Sequence, residues 1–478
     1  MGSGMEMIVI PFHGQGHVFP CAQLSLQLAT RGILVTVASP SELSSSISAA
    51  CDHPLVRIVL LSLPPNPPDA PRHQTLFRSR LMAEPFAELL SQRAGPDPSG
   101  PPRPACVIFD AHCGWAVEVC ERYSIPTAAF FTNGTCACTL EYIGYHSPLE
   151  TMNPDDPVHF DGLPESLQIT YADLSNQRPS IVGTGGPRSR GLPPWMPEVD
   201  GATVFLFNSC DELEGPFIDC MAREARKKAF GIGPLLPPQI WETAGAPLRD
   251  GAVRARKSSS ISEEEVETWL DRKAPHSVIF VSFGSEVSPS ASELAALAAG
   301  LEESRHPFIW VIQERVQMAS AGATAGRPEP TKDPWLGVVP EGFEKRVGER
   351  GLVIRGWAPQ LLILSHRSTG GFVSHCGWNS TLESLACGVP ILAWPVRGDQ
   401  NQNAILVVNH LRVAVKVRPG RGREMSNEDV VKGVDQLISD AEVRNRAAQI
   451  KAIFSSGLPA SSSSALDAFI HLFVAEKP

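Results

Sequence analysis

The chain has 478 residues, of which 43% are hydrophobic and 19% are charged, and its formal net charge is −10. This length is too great for one ordinary hydrophobic core, and the composition excludes an intrinsically disordered chain, so we expect two globular domains. A net negative charge without a long basic run argues against nucleic-acid binding, and the lack of a long apolar run argues against a membrane span.

The first half of the chain alternates short apolar runs with segments of helical spacing. Short apolar runs predict buried strands, and apolar residues three or four positions apart predict helices. This alternation predicts a parallel, doubly wound α/β sheet. The predicted strands are 5–10, 33–38, 56–61, 105–109, 127–131, 204–208 and 229–232, with helices at 21–31 and 114–123.

A second alternating series follows a stretch rich in Pro, Gly, Arg and Ser. We predict an amino-terminal domain over 1–240, a linker over 241–260 and a carboxyl-terminal domain over 261–455, while 456–478 is a helix that could pack back on the first domain. Two doubly wound domains that face one another enclose a cleft, and ligands bind beyond the carboxyl ends of parallel strands. The strands predicted in this series are 278–283, 308–313, 352–355, 371–374 and 391–394, and the helices are 290–303, 427–439 and 442–455.

One strand end of the second half has the pattern of a diphosphate site. The strand 371–374 leads through His375 and Gly377 into a segment of helical spacing that ends at Gly388. A helix amino terminus offers backbone N–H groups and a partial positive charge, so it binds a diphosphate without Lys or Arg. The alternative is a simple capping box formed by Ser380 and Glu383. Tryptophans nearby could equally be core residues.

A histidine follows the first predicted strand of the chain. His17 lies in a loop with Gly14 and Gly16, which resembles the start of a dinucleotide fingerprint but lacks its third glycine. An imidazole with a pKa of about 6.5 suits a general base. Asp110, at the end of another strand, could orient it, or could serve only as a helix N-cap. His17 could also be structural, and His13 is the competing histidine.

Two motifs of this chain resemble those of the plant family 1 UDP-glycosyltransferases. The segment from Trp357 to Gln400 resembles the signature box of that family over its full 44 residues, including the run from Gly370 to Ser384. Residues 15–20 match the Gln-Gly-His-x-x-Pro motif that carries the catalytic histidine of the family. The resemblance implies a GT-B fold, in which two Rossmann-like domains face a cleft and the carboxyl half holds most of the donor.

The resemblance also implies which part of a UDP-sugar each residue contacts. Uracil and ribose are assigned to Trp357, Ala358, Gln360 and Glu383. The diphosphate is assigned to Ser285, His375, Asn379 and Ser380, and Gly377 is counted with the substrate-binding residues. The sugar is assigned to Trp378, Asp399 and Gln400. In the family Glu is more common at the position of Asp399, and a Gln at the position of Gln400 favours glucose.

The implied reaction needs no metal and no cofactor beyond UDP-glucose as co-substrate. His17 would take the proton of the acceptor hydroxyl, Asp110 would orient it, and UDP would leave with inversion. The acceptor would be a small hydrophobic flavonoid, other phenolic or terpenoid, bound near 86–90, 131–145 and Trp195, and the linkage could be O- or C-glycosidic.

Other functional classes remain open at this point. A nicotinamide-dependent oxidoreductase would suit two Rossmann-like halves, although the glycine fingerprint is broken, and a silent small-molecule carrier is a second alternative. Eleven scattered cysteines and the lack of a signal peptide predict a cytoplasmic protein. We expect a monomer.

Overall fold

The computed structural model describes residues 5–63, 79–93, 103–146, 151–175, 196–242, 248–249, 259–285, 287–313, 339–417 and 424–473. Within them the chain forms two parallel sheets, one in each half. None of the helices in these ranges is long and apolar enough to cross a bilayer.

The amino-terminal half forms a seven-stranded sheet in the order β3-β2-β1-β4-β5-β6-β7. Strands β1, β4 and β5 are buried at every position, which is typical of a parallel sheet covered by helices on both faces. The strands are β1 Glu6–Ile10, β2 Leu34–Pro40, β3 Val56–Leu61, β4 Cys106–Asp110, β5 Thr127–Phe131, β6 Val204–Phe207 and β7 Lys228–Gly231.

The carboxyl-terminal half forms a six-stranded sheet in the order β10-β9-β8-β11-β12-β13. Counted from β8, this is the 3-2-1-4-5-6 order of a doubly wound fold. The strands are β8 Val278–Ser282, β9 Phe308–Ile312, β10 Gly351–Arg355, β11 Thr369–Ser374, β12 Ile391–Ala393 and β13 Ala414–Lys416.

Helices cover both sheets. In the amino half they are α1 Gln15–Ala29, α2 Ser44–Ala50, α3 Ala83–Ser91, α4 Trp115–Arg122, α5 Thr135–His146, α6 Tyr171–Ser175, α7 Met196–Val199, α8 Asp211–Ala225 and α9 Gln239–Glu242. In the carboxyl half they are α10 Glu263–Asp271, α11 Ala291–Glu303, α12 Phe343–Val347, α13 Gln360–Ser365, α14 Trp378–Cys387, α15 Gln400–Ile405, α16 Asn427–Ser439, α17 Ala441–Ile453 and α18 Ala460–His471.

The last helix returns to the amino-terminal half. Leu466 and Phe469 on α18 are buried in the core cluster of the first sheet, and Arg31 pairs with Asp467 at 2.7 Å. The predicted linker 241–260 falls mostly outside the described residues.

An apolar cluster joins the two halves. It combines Leu140 and Phe217 of the amino half with Trp378 and Leu382 of the carboxyl half. The indole N–H of Trp378 donates to the backbone carbonyl of Asn208 at 2.8 Å across this junction. A buried, hydrogen-bonded junction of this kind fixes how the strand ends of one sheet face those of the other.

Candidate active site

The order of strands reverses at one point in each sheet. In the first sheet the reversal lies between β1 and β4, which pair with Ile10 opposite Phe109. In the second it lies between β8 and β11, which pair with Ser282 opposite Ser374. Ligands of open α/β sheets bind at such switch points, and His17, Asp110, Ser285 and His375 lie at or after the carboxyl ends of these four strands.

His17 lies on a helix, not in the loop that the sequence indicated. Helix α1 begins at Gln15, because Gly14 takes a φ of 110° as its N-cap and lets the chain turn there. His17 Nδ1 lies 2.8 Å from Asp110 Oδ2 and 3.0 Å from Thr132 Oγ1. The side chain of Asp110 is 1% exposed and that of His17 is 22% exposed. The imidazole is therefore fixed through its Nδ1 atom, and part of the ring is exposed to solvent at the cleft.

Asp110 has two roles, because its two oxygens contact different groups. While Oδ2 contacts His17, Oδ1 accepts the backbone N–H of His112 at 3.0 Å and caps the short 3₁₀ turn Ala111–Cys113. The two interpretations weighed from the sequence, N-cap and partner of the histidine, are thus compatible.

No role was predicted for His112, yet the structure brings it into this site. His112 Nδ1 lies 3.1 Å from Asp110 Oδ1, and its ring lies 5.0 Å from that of His17 at an interplanar angle of 81°. Phe12 is 5.0 Å from both imidazoles, stacked on His112 and edge-on to His17. An Asp side chain commonly accepts the backbone N–H two residues further on, and this local turn is the signal that could have placed His112 next to Asp110.

Asp110 is held as a carboxylate. Burial alone would raise its pKa, but the attraction of His17 and the hydrogen bonds from both imidazoles outweigh burial and lower the pKa well below its usual range. An ionised carboxylate can only accept hydrogen bonds, so each neighbouring group must donate one to it. Each of the two histidines therefore carries its proton on Nδ1 and its lone pair on Nε2.

The same three side chains have the composition of a metal site. The ligand-type atoms of His17, Asp110 and His112 lie within 4.8 Å of one another. The Asp110 oxygens already accept hydrogen bonds from both imidazoles and from one backbone N–H, so a metal ion would have to displace protons from that set. The expectation that catalysis needs no metal stays a prediction.

Across the cleft, β11 turns sharply into helix α14. Cys376 takes a left-handed φ of 63°, and its turn is held by Ser374 Oγ, which accepts its N–H, and by Asn403, which donates to its carbonyl. Gly377 is the N-cap and no side chain of the described residues caps it. The capping-box alternative is therefore wrong, because Ser380 is the third residue inside the helix. A helix amino terminus without a side-chain cap is the kind of position at which anions bind.

The side chain of His375 packs closely against Gly284 and Gly377 at the amino terminus of α14. A Cβ on Gly377 would lie 2.4 Å from His375 Nε2, and a Cβ on Gly284 would lie 2.8 Å from it. Burial lowers the pKa of His375 to about 4, although a backbone hydrogen bond with Ser282 opposes this shift. At neutral pH His375 is thus an uncharged hydrogen-bonding group. Ser285 is exposed at the turn that follows Gly284.

Residues predicted to contact the ribose lie together. Gln360 Nε2 donates to Glu383 Oε2 at 2.7 Å and to Ser380 Oγ at 3.1 Å, and Glu383 is buried. The segment that ends at Gln360 also contains Trp357, which is half-buried, and Ala358, which is buried. The structure therefore brings the assigned uracil and ribose residues to one side of the α14 amino terminus.

The residues assigned to the sugar are engaged in different ways. The Trp378 indole N–H is used at the Asn208 carbonyl, so a sugar hydroxyl could meet only the ring or the backbone N–H of Trp378. Gln400 Oε1 accepts the backbone N–H groups of Val396 and Arg397 at 2.9 Å each, so the side-chain oxygen is already engaged within its own segment.

Asp399 is the N-cap residue of α15, and its Oδ2 accepts a hydrogen bond from Asn403 Nδ2 at 3.0 Å. Burial raises the pKa of Asp399, and the Asn403 hydrogen bond together with the attraction of His17 and His112 opposes that rise.

Asn379 joins the two sides of the cleft. Its Nδ2 donates to the carbonyl of Gly16 at 3.0 Å. Pro20 lies four positions after Gly16 inside α1, and a proline has no N–H for the carbonyl four residues earlier. Pro20 thus leaves the carbonyl of Gly16 without an N–H partner in its own helix. Asn379, in the signature segment of the other half, donates that hydrogen bond instead.

The predicted acceptor segments need correction. In 86–90 the side chains of Phe86, Ala87 and Leu90 are buried in the core of the first sheet, and Phe131 is buried there too. These apolar side chains were expected to line a pocket, but they face the sheet because α3 packs its apolar side inward. Trp195 lies outside the described residues. Phe12, Thr132 and His112 are the described side chains that surround His17.

Comparisons with known proteins agree with this architecture. The family described as "UDP-glucoronosyl and UDP-glucosyl transferase" matches residues 249–456. UDP-glycosyltransferase 73B3 of Arabidopsis thaliana is 35% identical over 387 residues, which cover 78% of this chain and 74% of the relative. Flavonol 3-O-glucosyltransferase UGT89B1 of the same plant is 30% identical, with 94% of this chain and 90% of the relative covered.

A solved structure extends the likeness to the whole fold. A ugt transferase from Siraitia grosvenorii in complex with UDP superposes with a TM-score of 0.77 and 26% identity, over 98% of this chain and 99% of that one. The GT-B prediction is confirmed, and neither the oxidoreductase nor the silent carrier is supported. The chain belongs to the plant family 1 UDP-glycosyltransferases and is a UDP-sugar-dependent glycosyltransferase.

Proposed function

We propose that this enzyme transfers glucose from UDP-glucose to a small aromatic or terpenoid acceptor with inversion, using His17 as general base and Asp110 as its orienting carboxylate. The observation that supports this most directly is the 2.8 Å contact between His17 Nδ1 and Asp110 Oδ2 at the switch point that faces α14.

The tautomer of His17 suits the chemistry. With the proton on Nδ1 directed at Asp110, Nε2 has the lone pair that accepts the proton of the acceptor hydroxyl. The hydroxyl oxygen then bonds to the anomeric carbon while the bond from that carbon to the diphosphate breaks on the opposite face. Asp110 stabilises the imidazolium that forms, and general-base assistance of this kind contributes about 10²–10⁴-fold.

The donor is proposed to bind without a formal positive charge from Lys or Arg. The open first turn of α14 would hold the diphosphate together with His375, Asn379, Ser380 and Ser285, and its dipole would stabilise the negative charge that develops on UDP as it leaves. No further cofactor enters this scheme. The glucose preference rests on Gln400, whose amide N–H groups would donate to sugar hydroxyls.

A phenolic acceptor is favoured over a terpenoid one. The described surroundings of His17 contain one aromatic ring and a second imidazole, which suit a flat ring. A relative of this chain is named a flavonol 3-O-glucosyltransferase and another a scopoletin glucosyltransferase. Whether the new bond goes to oxygen or to carbon is decided by acid hydrolysis of the product, since a C–C bond resists it. The cytoplasmic location and the monomeric state stay predictions.

The substitution His17→Ala tests the base. We expect kcat with UDP-glucose and a flavonol or a hydroxycoumarin to fall by at least about 10²-fold, because general-base assistance is lost, while UDP binding measured by calorimetry stays within about twofold. The exposed His13 gives the control, since His13→Ala is expected to keep full turnover. Near-normal turnover by His17→Ala would falsify the assignment.

A further inference from the structure

The carboxylate of Asp110 holds two imidazoles in the same manner. His17 Nδ1 contacts Oδ2 at 2.8 Å, and His112 Nδ1 contacts Oδ1 at 3.1 Å. In the proposed mechanism the imidazole of His17 is the general base, and the imidazole of His112 has no role. Since the carboxylate fixes the proton of each on Nδ1, both rings direct an Nε2 lone pair away from Asp110.

His112 lies on the cleft side of the site and is held in place. Its side chain is 36% exposed, more than that of His17, and its attraction acts on Asp399 of the opposite domain. Phe12, which is buried, stacks on the His112 ring at an interplanar angle of 28°. Because the Nδ1 contact and the stacked ring fix the imidazole, His112 presents a fixed hydrogen-bond acceptor to whatever occupies the cleft.

We propose that His112 makes this enzyme selective for aromatic acceptors that carry two neighbouring hydroxyl groups. One hydroxyl donates to His17 Nε2 and receives the sugar, and the adjacent hydroxyl donates a hydrogen bond to His112 Nε2. The inference rests on the proposed function, since it concerns the acceptor of the same site.

The dimensions of the pair fit such a ring. The two imidazole centroids are 5.0 Å apart. Neighbouring hydroxyl oxygens on one benzene ring lie about one hydrogen-bond length apart, about 2.8 Å, and each forms a hydrogen bond of similar length to an imidazole nitrogen. In the proposal a dihydroxy ring contacts both histidines at once, whereas a ring with one hydroxyl leaves the His112 nitrogen unsatisfied when the cleft is dry.

Only one proton moves in this scheme. The hydroxyl on His17 loses its proton to Nε2 as its oxygen bonds to the anomeric carbon, and UDP leaves with the electron pair of the broken bond. The hydroxyl on His112 keeps its proton throughout and only positions the ring. His112 thus determines which hydroxyl pattern is accepted, while the base remains His17.

Matched coumarins test the proposal. We compare 6,7-dihydroxycoumarin with 7-hydroxycoumarin and with 6-methoxy-7-hydroxycoumarin, whose methoxy group cannot donate a hydrogen bond. In the unmodified enzyme we expect kcat/KM for the dihydroxy compound to exceed that of the other two by about tenfold, the effect of one hydrogen bond made in a desolvated site. In His112→Phe, which keeps a ring for Phe12 to stack on, this ratio is expected to fall to about one.

His13→Phe is the control, because His13 is exposed and is expected to leave the ratio at its original value. Dissociation constants of the same coumarins from the UDP-bound protein, measured by their fluorescence, give the ratio without turnover. Equal binding of the three compounds by the unmodified enzyme, or an unchanged ratio in His112→Phe, overturns the proposal. A binding preference without transfer to any of the coumarins instead contradicts the proposed function and leaves the role of His112 standing.

Discussion

Two histidines on opposite sides of the cleft lie in surroundings that favour opposite charge states. His17 pairs with a buried carboxylate that stabilises its charged form. His375 is buried between glycines, and burial lowers its pKa to about 4 so that it stays neutral. In the proposed mechanism the amino side contains the group that gains and loses a proton, and the carboxyl side offers fixed dipoles and uncharged donors.

This difference assigns proton transfer and diphosphate binding to separate side chains, because the two requirements conflict in a single side chain. A base must change its charge during each turnover, whereas a diphosphate is best held by groups whose charge is constant. Backbone N–H groups and a neutral imidazole hold it equally well before and after the proton moves. Changes to Asp110, His375, Gly377 and Pro20 test this contrast.

Asp110→Asn should have the largest effect. An amide can donate to His17 Nδ1, which favours the wrong tautomer and places a proton on Nε2, where the acceptor hydroxyl must donate. We expect kcat to fall by about 10³-fold while UDP affinity stays within about twofold. Steady-state kinetics and calorimetry measure the two quantities. A loss of less than tenfold would mean that the carboxylate does not set the tautomer.

The neutral state of His375 should make the fold sensitive to acid. Its pKa is about 4 in the fold and about 6.5 in the unfolded chain, so the unfolded state binds more protons between these values. The stability is complete above pH 6.5 and decreases as the pH falls toward 4, by about 2 kcal/mol at pH 5. Burial lowers the pKa of His366 and His410 as well, so the share of His375 requires a variant.

Urea unfolding of the unmodified chain and of His375→Gln at pH 7 and pH 5 isolates that share. The glutamine cannot be protonated, so the variant should lose about 2 kcal/mol less on acidification. Identical losses in the two proteins would show that His375 is charged in the fold.

Gly377→Ala should weaken donor binding without touching the base. The added Cβ would lie 2.4 Å from His375 Nε2 and displace the imidazole from the α14 amino terminus. We expect the dissociation constant of UDP to rise by about tenfold, equivalent to about 1.4 kcal/mol. Gly215→Ala is the control, since its nearest neighbour would lie at an ordinary 3.6 Å. Equal affinities of the two variants would argue against the close packing of His375.

Pro20→Ala should have the smallest effect on function. A new amide at position 20 can donate to the Gly16 carbonyl within α1 and compete with Asn379. We expect a higher melting temperature, because a proline inside a helix costs about 3 kcal/mol, together with a kcat lower by about threefold. A rise in both the melting temperature and kcat would show that the contact between Asn379 and Gly16 does not contribute to turnover.

Much of the fold was predictable because buried parallel strands are continuous apolar runs. The runs 56–61 and 127–131 coincide with β3 and β5, and the predicted helix 427–439 coincides with α16. Strand β13 has three residues and left no recognisable run. Helix α1 begins six residues before the predicted start, because a glycine at an unusual φ and a proline inside the helix concealed its first turns.

The site was predictable only in part, for a different physical reason. The signature segment indicated the donor residues, and the structure places Gln360, Ser380 and Glu383 in contact. The motif could not show that the indole of Trp378 bonds to Asn208, or that His112 shares Asp110 with His17. These contacts depend on distant segments or on side-chain directions, which local spacing does not specify.

The bond between Asn379 and Gly16 has a practical consequence for exchanging domains between enzymes. A chimera that takes its first half from this chain inherits a proline that leaves one helix carbonyl without a donor of its own. The second half must then supply an amide at the position of Asn379, or that carbonyl is left for water. Pro20 and Asn379 therefore form a matched pair that has to be transplanted together, although they lie far apart in the sequence.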